Sequence, residues 1–157
     1  AWMLQYIISS PDSFMPIFHQ MMDSNQNILD AFAAFIPDYY PEKGRWYEPL
    51  LARRPSHYDE MILGSESHDY LQYEWFNTVI DTGEPYWSEP YYDADGGRTM
   101  VVTYAAPLHD AEGKVVGIVG ADISLAWLTE LIVNIQLYPD SFSALTSRDG
   151  QMMACPA

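Results

Sequence analysis

The fold is decided by residues 91–125, which read YYDADGGRTMVVTYAAPLHDAEGKVVGIVGADISL. Residues 99–106 alternate between larger and smaller side chains, the two-residue period of a β-strand. Turn-forming runs flank this strand, Asp93-Ala94-Asp95-Gly96-Gly97 before it and Asp110-Ala111-Glu112-Gly113 after it. The strands predicted for this antiparallel meander are residues 87–92, 99–106 and 115–123.

Helices are predicted on both sides of the meander. After it, apolar residues recur at helical spacing over residues 125–135, and Ser124 stands where an N-cap is expected. Before it, Asp69 is expected to cap a helix over residues 70–82, which Gly83 ends.

The first half of the chain starts helical and then becomes extended. Residues 1–24 predict two helical stretches, and residues 28–36 predict a buried strand closed by Pro37. The Pro- and Tyr-rich residues 37–55 are expected to fold over the sheet, because their aromatic rings need a buried place. Residues 61–63 predict a short strand. This order of helices and meandering strands indicates an α+β fold with one antiparallel sheet.

The tail repeats the turn pattern of the meander. Residues 147–154 place a turn, a glycine, a long polar residue and an apolar strand in the order found at 109–116. The tail therefore predicts a hairpin, which either docks on the domain or opens a second domain of similar design. We favour the second, because an isolated hairpin is marginal in water. The start Ala1-Trp2-Met3-Leu4 has no initiator methionine, so we expect a piece of a longer protein.

Charge and composition exclude several classes of protein. The 157 residues include 22 Asp and Glu against 7 Lys and Arg, which gives a formal net charge of −15. Such a chain repels phosphates, so neither nucleic acid nor an anionic membrane surface is an expected partner. A hydrophobic share of 48% disfavours disorder. Cys155 has no cysteine to pair with, and no apolar run reaches the roughly 18 residues of a membrane-spanning helix.

No motif predicts catalysis, a metal or a cofactor. The four histidines lie in different segments, and none forms the i, i+4 pair of a zinc-binding helix. The nucleophile-elbow, Walker A and dinucleotide-binding glycine motifs are absent. Asp93-Ala94-Asp95-Gly96 resembles only the start of a calcium loop, so we interpret it as a turn. A metal-dependent hydrolase would require at least three His and carboxylate side chains to converge.

Aromatic and acidic residues cluster around the turn at Gly83. Aromatic faces beside a carboxylate suit a positively charged amine, through cation–π contact and charge-assisted hydrogen bonds. The alternative is an ordinary aromatic core with its hydroxyls at the surface. The clustered residues are Trp75, Phe76, Trp87, Tyr91, Tyr92 and Asp93.

Asp122 stands at the end of an apolar strand, where an uncompensated carboxylate is costly. It has two interpretations, and the sequence favours neither. It either caps the helix that begins after Ser124, or it contacts a ligand at the mouth of a pocket, where Gly117 and Gly120 allow close approach.

Short motifs occur along most of the chain in an informative order. They are Ala33-Ala34-Phe35-Ile36-Pro37-Asp38-Tyr39-Tyr40-Pro41, Trp75-Phe76 with Gly83, Trp87-Ser88-Glu89-Pro90-Tyr91-Tyr92-Asp93, Thr103-Tyr104-Ala105-Ala106-Pro107-Leu108, Gly113-Lys114-Val115-Val116-Gly117 and Gly120-Ala121-Asp122-Ile123-Ser124-Leu125. In this order, over residues 25–135, the chain resembles the Cache family of extracytoplasmic sensor domains. The tail resembles the opening hairpin of the membrane-proximal module of a double Cache sensor.

The resemblance implies a PAS-like antiparallel sheet flanked by helices and preceded by the end of a long N-terminal helix. It divides the chain into an N-terminal helical segment at 1–24, a membrane-distal Cache module at 25–136 and the opening hairpin of a truncated membrane-proximal module at 137–157. It implies a periplasmic or extracellular domain of a membrane-anchored bacterial receptor with a histidine kinase, chemoreceptor, cyclase or phosphatase output. Such a domain binds a small-molecule ligand and is not an enzyme. A homodimer through the N-terminal helix is a further expectation.

The resemblance also implies a set of ligand-binding residues. In members that bind amino acids or amines, the positions matching Trp75, Tyr91, Asp93, Thr103 and Asp122 line the pocket of the distal module. Trp87 and Tyr92 from the aromatic cluster complete the expected set. We expect the pocket between the sheet, residues 37–55 and the helix at 70–82.

The chain departs from the amino-acid-binding members at one position. Those members carry Arg-x-Trp-Tyr, whose Arg holds the ligand carboxylate, whereas this chain has Tyr73-Glu74-Trp75-Phe76. The missing Arg disfavours an α-amino acid, and the remaining aromatics with Asp93 and Asp122 suit an amine without a carboxylate. The alternative function is an extracellular carbohydrate-binding or adhesion module with exposed Trp and Tyr rings as stacking platforms, whereas a sensor pocket encloses such rings.

Overall fold

The structure is a computed structural model that describes residue 8 and residues 10–94 and 99–155. Its helices are α1 (Phe14–Ser24), α2 (Glu74–Thr82) and α3 (Leu125–Val133), with single 3-10 turns at Pro11–Ser13, Pro41–Lys43 and Tyr70–Gln72. Its strands are β1 (Ile28–Phe35), β2 (Pro49–Arg53), β3 (Tyr58–Ile62), β4 (Tyr86–Trp87), β5 (Tyr91–Asp93), β6 (Thr99–His109), β7 (Val115–Ser124), β8 (Leu145–Thr146) and β9 (Met152–Ala154).

Seven of the described strands form one antiparallel sheet. Its order is β3-β2-β1-β7-β6-β4, and β5 pairs with β6 further along that strand. The predicted α+β fold with one antiparallel sheet is confirmed. The meander of β5, β6 and β7 is confirmed as well, although residues 95–98 of its first turn lie outside the described part of the chain.

The two faces of β1 serve different halves of the core, because alternate residues of a strand point to opposite sides. On one side the strand packs against α1, and on the other against α2. The first cluster includes Phe14, Phe18, Met22, Ala31, Ala33 and Phe35, and the second includes Phe32, Ala34, Trp75, Phe76 and Val79. Pro16 is the third residue of α1 and does not interrupt it, because the N–H groups of the first turn of a helix have no partner within the helix.

Gly120 makes room for an aromatic ring in the middle of the sheet. It lies opposite Phe32 in the pairing of β1 with β7. A Cβ atom added at Gly120 would collide with Cζ of the Phe32 ring, so no larger residue fits without moving that ring. The glycine expected to allow close approach therefore admits a neighbouring side chain of the protein.

Residues 37–55 differ from the prediction. The end of this segment is strand β2, which lies inside the sheet between β1 and β3. Leu50 and Leu51 are buried, and Pro49 is tolerated because it is the first residue of the strand. β3 starts earlier than the short strand predicted at 61–63, and it pairs with β2 along its whole length.

The strand predicted at 87–92 is interrupted. β4 and β5 both pair with β6, but residues 88–90 leave the ladder between them. Pro90 has no N–H to donate. Ser88 replaces the missing ladder contacts, because its N–H donates to Thr103 O and its Oγ accepts from Thr103 N, both at 2.9 Å.

The helix predicted at 70–82 is also divided. Asp69 caps only a 3-10 turn, where its Oδ1 accepts from Leu71 N at 3.3 Å. Tyr73 is extended, and α2 starts after it. Gly83 ends α2 in the left-handed conformation, as expected from its position.

The end of the chain forms the predicted helix and hairpin. Ser124 Oγ accepts from Ala126 N at 3.1 Å and from Trp127 N at 3.4 Å, so Ser124 is the N-cap of α3. β8 and β9 pair with each other, and β9 lies beside α3. The opening of a second module by this hairpin stays a prediction. Within the described residues, no helix has the length and apolar character that crossing a bilayer demands.

Candidate ligand-binding site

A cavity of about 410 Å³ lies on the side of the sheet that α2 covers. Its floor comes from β1, β2 and β7, and its walls come from residues 63–75 and 88–94. The interruption between β4 and β5 places residues 88–90 at this cavity. The lining residues are Phe32, Glu48, Leu50, Leu63, His68, Tyr73, Glu74, Trp75, Ser88, Glu89, Pro90, Tyr91, Tyr92, Asp93, Ala94 and Asp122.

Most of the residues expected from the sequence meet at this cavity. The five that line it are Trp75, Tyr91, Tyr92, Asp93 and Asp122. Thr103 does not line the cavity but is completely buried beneath it. Its Oγ1 donates to Asp122 Oδ1 at 2.5 Å and lies 2.7 Å from the Tyr91 hydroxyl oxygen. Thr103 therefore fixes the positions of two lining side chains.

Trp87 lies outside this cavity. Its side chain is 50% exposed, and its ring centroid lies 4.9 Å from that of Tyr104. It lines a separate depression together with Leu128 of α3 and Met153 of the tail hairpin. The register explains the separation: Trp87 pairs with Tyr104 and Tyr91 with Val101, three residues apart on β6, so the two side chains point to opposite faces of the sheet.

Asp30 does not line the cavity but lies beside the lining residue Asp122, and sequence reasoning missed it. It lies directly opposite Asp122 in the pairing of β1 with β7, and its side chain is fully buried. Asp30, Asp93 and Asp122 each place a carboxylate oxygen within 4.8 Å of the other two. The signal was a carboxylate inside the otherwise apolar strand Ile28–Phe35, where an isolated charge is costly.

A metal-dependent hydrolase was expected to require at least three converging His or carboxylate side chains, and these three aspartates do converge. Three carboxylates at this spacing can surround one small cation, which an ammonium group or a metal ion would satisfy equally. His57 takes no part, because it lies just before β3, where its Nε2 is 3.0 Å from Oδ1 of Asp59. Asp122 is not the N-cap of α3, because Ser124 is.

Burial and neighbouring charge both favour a protonated carboxyl here. Burial is the main cause that raises the pKa of Asp122 well above its usual value, and it acts against the hydrogen bond from Thr103. The carboxylates of Asp30, Asp93 and Glu48 raise that pKa further. Burial, followed by the Asp122 charge, also raises the pKa of Tyr91 above its usual value.

Three further carboxylates line the cavity. Glu48 precedes β2, and its Oε2 lies 3.0 Å from Nε2 of His68. Glu74 in the first turn of α2 accepts from the Tyr86 hydroxyl at 2.9 Å. Burial, followed by the Glu74 hydrogen bond, raises the pKa of Tyr86 to about 12, so the phenol keeps its proton. Glu89 is the third, and no Lys or Arg is among the described lining residues.

Aromatic rings complete the walls. Trp75 is 8% exposed, and its ring centroid lies 5.2 Å from that of Phe32 at an edge-on angle of 71°. Tyr73 lies 5.8 Å from Trp75, measured between centroids, and Tyr91 and Tyr92 stand across from them on β5. The arrangement combines electron-rich ring faces with an excess of carboxylates, which are the two groups that hold organic cations in proteins.

Comparison with known proteins identifies sensor domains. The family model described as the first PDC sensor domain of methyl-accepting chemotaxis protein-like receptors matches residues 14–130. The chain is 29% identical over 90 residues to the methyl-accepting chemotaxis protein McpA of Pseudomonas putida. That alignment covers 57% of this chain and only 14% of McpA.

Solved structures share the fold at low sequence identity. The extracellular domain of the putative histidine kinase mmHK1S-Z3 is 19% identical with a TM-score of 0.77, over 98% of this chain and 60% of that one. The ligand-binding domain of the Campylobacter jejuni chemoreceptor Tlp3, in complex with L-valine, is 16% identical with a TM-score of 0.68. The match covers 99% of this chain and 56% of the Tlp3 chain.

Proposed function

The chain belongs to the first PDC sensor domains of methyl-accepting chemotaxis protein-like receptors, and we propose that it senses a small organic cation that lacks a carboxylate. The PDC fold is the one expected from the Cache resemblance, and domains of this family bind ligands and are not enzymes. The proposed position is outside the cytoplasm, as for the solved extracellular domain of mmHK1S-Z3. The proposed full-length protein is a membrane-anchored chemoreceptor or histidine kinase, in which this domain is the sensor.

The observation that carries the proposal is the charge of the cavity. Five of its lining residues are carboxylic acids, and its described lining contains neither Lys nor Arg. The single lining imidazole, His68, is already engaged with Glu48. An anionic ligand would meet like charge on every side of this site, whereas an ammonium group would be attracted by all of them.

The aromatic walls support the same ligand class. Trp75 and Phe32 present rings to the cavity from α2 and β1, and an ammonium group above such a face gains about 0.5–2 kcal/mol. The enclosed position of Trp75 favours a pocket over the stacking platform of a carbohydrate-binding module.

Recognition of an α-amino acid lacks support for a separate reason. Tlp3 was solved with L-valine, and amino-acid-binding members of the resembled family hold the ligand carboxylate with an Arg. Here Tyr73 occupies that position and lines the cavity beside Glu74. The amino group of a ligand finds carboxylate partners in this site, but the described lining offers no Lys or Arg to a ligand carboxylate.

A thermal-shift series with matched carbon skeletons tests the proposal. Isobutylamine, L-valine and isovalerate differ only in which charged groups they carry, as do ethanolamine, L-serine and 3-hydroxypropionate. A ligand at about 100 times its Kd adds roughly 2.7 kcal/mol, which raises the Tm of a domain of this size by roughly 5–11 °C. We expect the amines to raise the Tm and the acids to leave it unchanged.

Two outcomes would overturn the proposal. A shift with isovalerate or L-valine but not with the matched amine would show that a carboxylate is required. A shift with calcium chloride, in the absence of any shift with the amines, would show that the carboxylates hold a metal ion instead. Magnesium chloride at the same ionic strength is the control for non-specific salt effects.

A further inference from the structure

We propose that binding in this cavity is coupled to proton release, because the ligand-free site holds one proton between the facing carboxyls of Asp30 and Asp122 at mildly acidic pH. This inference rests on the proposed cation-binding function. It adds that the domain exchanges a proton for its ligand, so that the pH outside the cell sets the ligand concentration at which the receptor responds.

The sheet register places two of these acids face to face. Asp30 and Asp122 are direct partners across the antiparallel pair of β1 and β7, where opposing side chains lie closest. Asp30 is 0% exposed and Asp122 is 4% exposed, so water screens neither of them. Two carboxylates that share one buried site cannot both ionise without a large cost, and one of them keeps its proton.

Other acidic side chains surround this pair. Asp93 approaches from β5, Glu48 from the residue before β2, and Tyr91 from β5 beside Thr103 of β6. Glu74 and Glu89 line the same cavity from α2 and from the interruption after β4. His68 is the remaining titratable lining group, and it pairs with Glu48. The carboxylates of Asp93 and Glu48 thus oppose ionisation of Asp122, whereas the neutral phenol of Tyr91 adds no charge.

A bound ammonium group changes this balance. One positive charge among the three carboxylates stabilises their ionised forms, because an opposite charge within about 4–6 Å lowers the pKa of an acid. The proton held by the pair then leaves to water, while the carboxylate that held it becomes a hydrogen-bond acceptor for the ligand. No bond other than O–H is broken, and the charge of the site stays the same, since a cation replaces a proton.

The linkage has a measurable sign. When one proton is released on binding, the affinity for the ligand increases as the pH increases. The increase is up to ten-fold per pH unit while the pH is below the pKa of the ligand-free site. Above that pKa the affinity becomes independent of pH. A site with ordinary carboxylates would show the same affinity at pH 5.5, 6.5 and 7.5, because Asp titrates near 4.

Calorimetry measures the released proton directly. Choline is the first probe, because its charge does not titrate, and isobutylamine is the second. Each is titrated into the domain in two buffers of different ionisation enthalpy, acetate and MES at pH 5.5, and phosphate and Tris at pH 7.5. We expect a release of between about half a proton and one proton at pH 5.5, and a smaller release at pH 7.5. Binding with no release at pH 5.5 would overturn the inference and leave the proposed function intact.

A second measurement needs no ligand. In the free domain, ¹³C NMR of labelled Asp carboxyls should show Asp30 or Asp122 still titrating above pH 5. If both titrate near pH 4, the inference fails even when no amine binds, so its failure is distinguishable from failure of the proposed function.

Matched variants assign the proton to the cluster. Asp30→Asn removes one of the facing charges, so Asp122 should titrate at lower pH and the release on choline binding should fall by at least half. Asp81→Asn, at an exposed position on α2, removes a charge of the same kind outside the cavity and should change neither readout. An unchanged release in the Asp30→Asn variant would contradict the assignment.

Discussion

Asp30 and Asp122 face each other across the centre of the sheet, on β1 and β7, and both side chains are shielded from water. Proteins avoid such pairs unless something offsets their repulsion, because like charges directly opposite in a sheet are destabilising. The pair thus stands at a position where stability is given up, which is typical of residues kept for a ligand.

The first prediction concerns stability and pH. The pKa of Asp122 is raised in the folded state, so its contribution to stability is present below the unfolded pKa of 3.8 and is lost as pH rises through the folded pKa. The Asp122→Asn variant, which keeps an acceptor for Thr103, should therefore be more stable than the parent at pH 7, by on the order of 1 kcal/mol or more. Urea unfolding at pH 7 and pH 4 measures this.

The general acidity of the chain requires a control for that experiment. Because the net charge is −15, acidification relieves repulsion everywhere, and the parent is expected to gain stability below neutral pH for this reason too. Asp81→Asn reports this general effect. An Asp122→Asn variant that is less stable than Asp81→Asn at pH 7 would contradict the assigned role of burial.

The second prediction concerns affinity for the amine. Asp93→Asn keeps the size of the side chain and removes its charge, so isobutylamine should bind about 10- to 100-fold more weakly, the cost of losing one charged hydrogen bond. Calorimetry or a thermal-shift titration measures the change, with Asp81→Asn as the control. Equal affinities of the Asp93→Asn variant and the parent would show that Asp93 does not contact the ligand.

The third prediction separates the cavity from the exposed aromatic surface. Trp87 lines no part of the cavity, so Trp87→Ala should leave isobutylamine affinity within about two-fold of the parent, as expected for a side chain that does not contact the ligand. Tyr91→Phe removes the hydroxyl that lies beside Thr103 and should weaken binding. The reverse pattern would favour the stacking platform of a carbohydrate-binding module.

The fourth prediction concerns ligand class. Tyr73 lines the cavity at the position where amino-acid-binding members of the resembled family carry Arg. Tyr73→Arg should let the domain bind L-valine at least ten-fold more tightly, through a charge-assisted contact to its carboxylate, and bind isobutylamine more weakly. Tyr73→Gln, which is long and polar but uncharged, should do neither. Failure of the Arg variant to gain L-valine affinity would show that this position does not face the ligand.

The fifth prediction tests the glycine that admits Phe32. Gly120→Ala forces the added methyl group against the ring and should cost about 1–3 kcal/mol of stability. In combination with Phe32→Leu, the loss should be smaller than the sum of the two single losses, because the ring that collides is gone. Additive losses, measured by urea unfolding, would mean that the collision is relieved elsewhere.

The elements that were predictable have local signals. β6 and β7 were predictable because turn-forming residues flank segments with the two-residue period of a strand. α3 was predictable because Ser124, a good N-cap residue, precedes apolar residues at helical spacing. β2 was missed because only three apolar residues separate Pro49 from Arg53 and Arg54, which is too short a pattern to distinguish from a loop.

The site was only partly predictable, for a different reason. Asp93 and Asp122 stood out within the meander, where their neighbours in sequence are also their neighbours in space. Asp30 and Glu48 come from the first half of the chain, and only the pairing of β1 with β7 and with β2 brings Asp30 beside Asp122 and Glu48 to the cavity. Local patterns carry no information about such register.

The interruption at residues 88–90 has a consequence for how the domain avoids other chains. It lies on an outer margin of the sheet, where a long strand would expose a row of N–H and C=O groups to a neighbouring molecule. β4 contains two residues and β5 three, and Pro90 between them has no N–H. The interruption that places residues 88–90 at the cavity therefore also prevents another strand from pairing along this edge, which protects the domain against aggregation by edge-to-edge pairing.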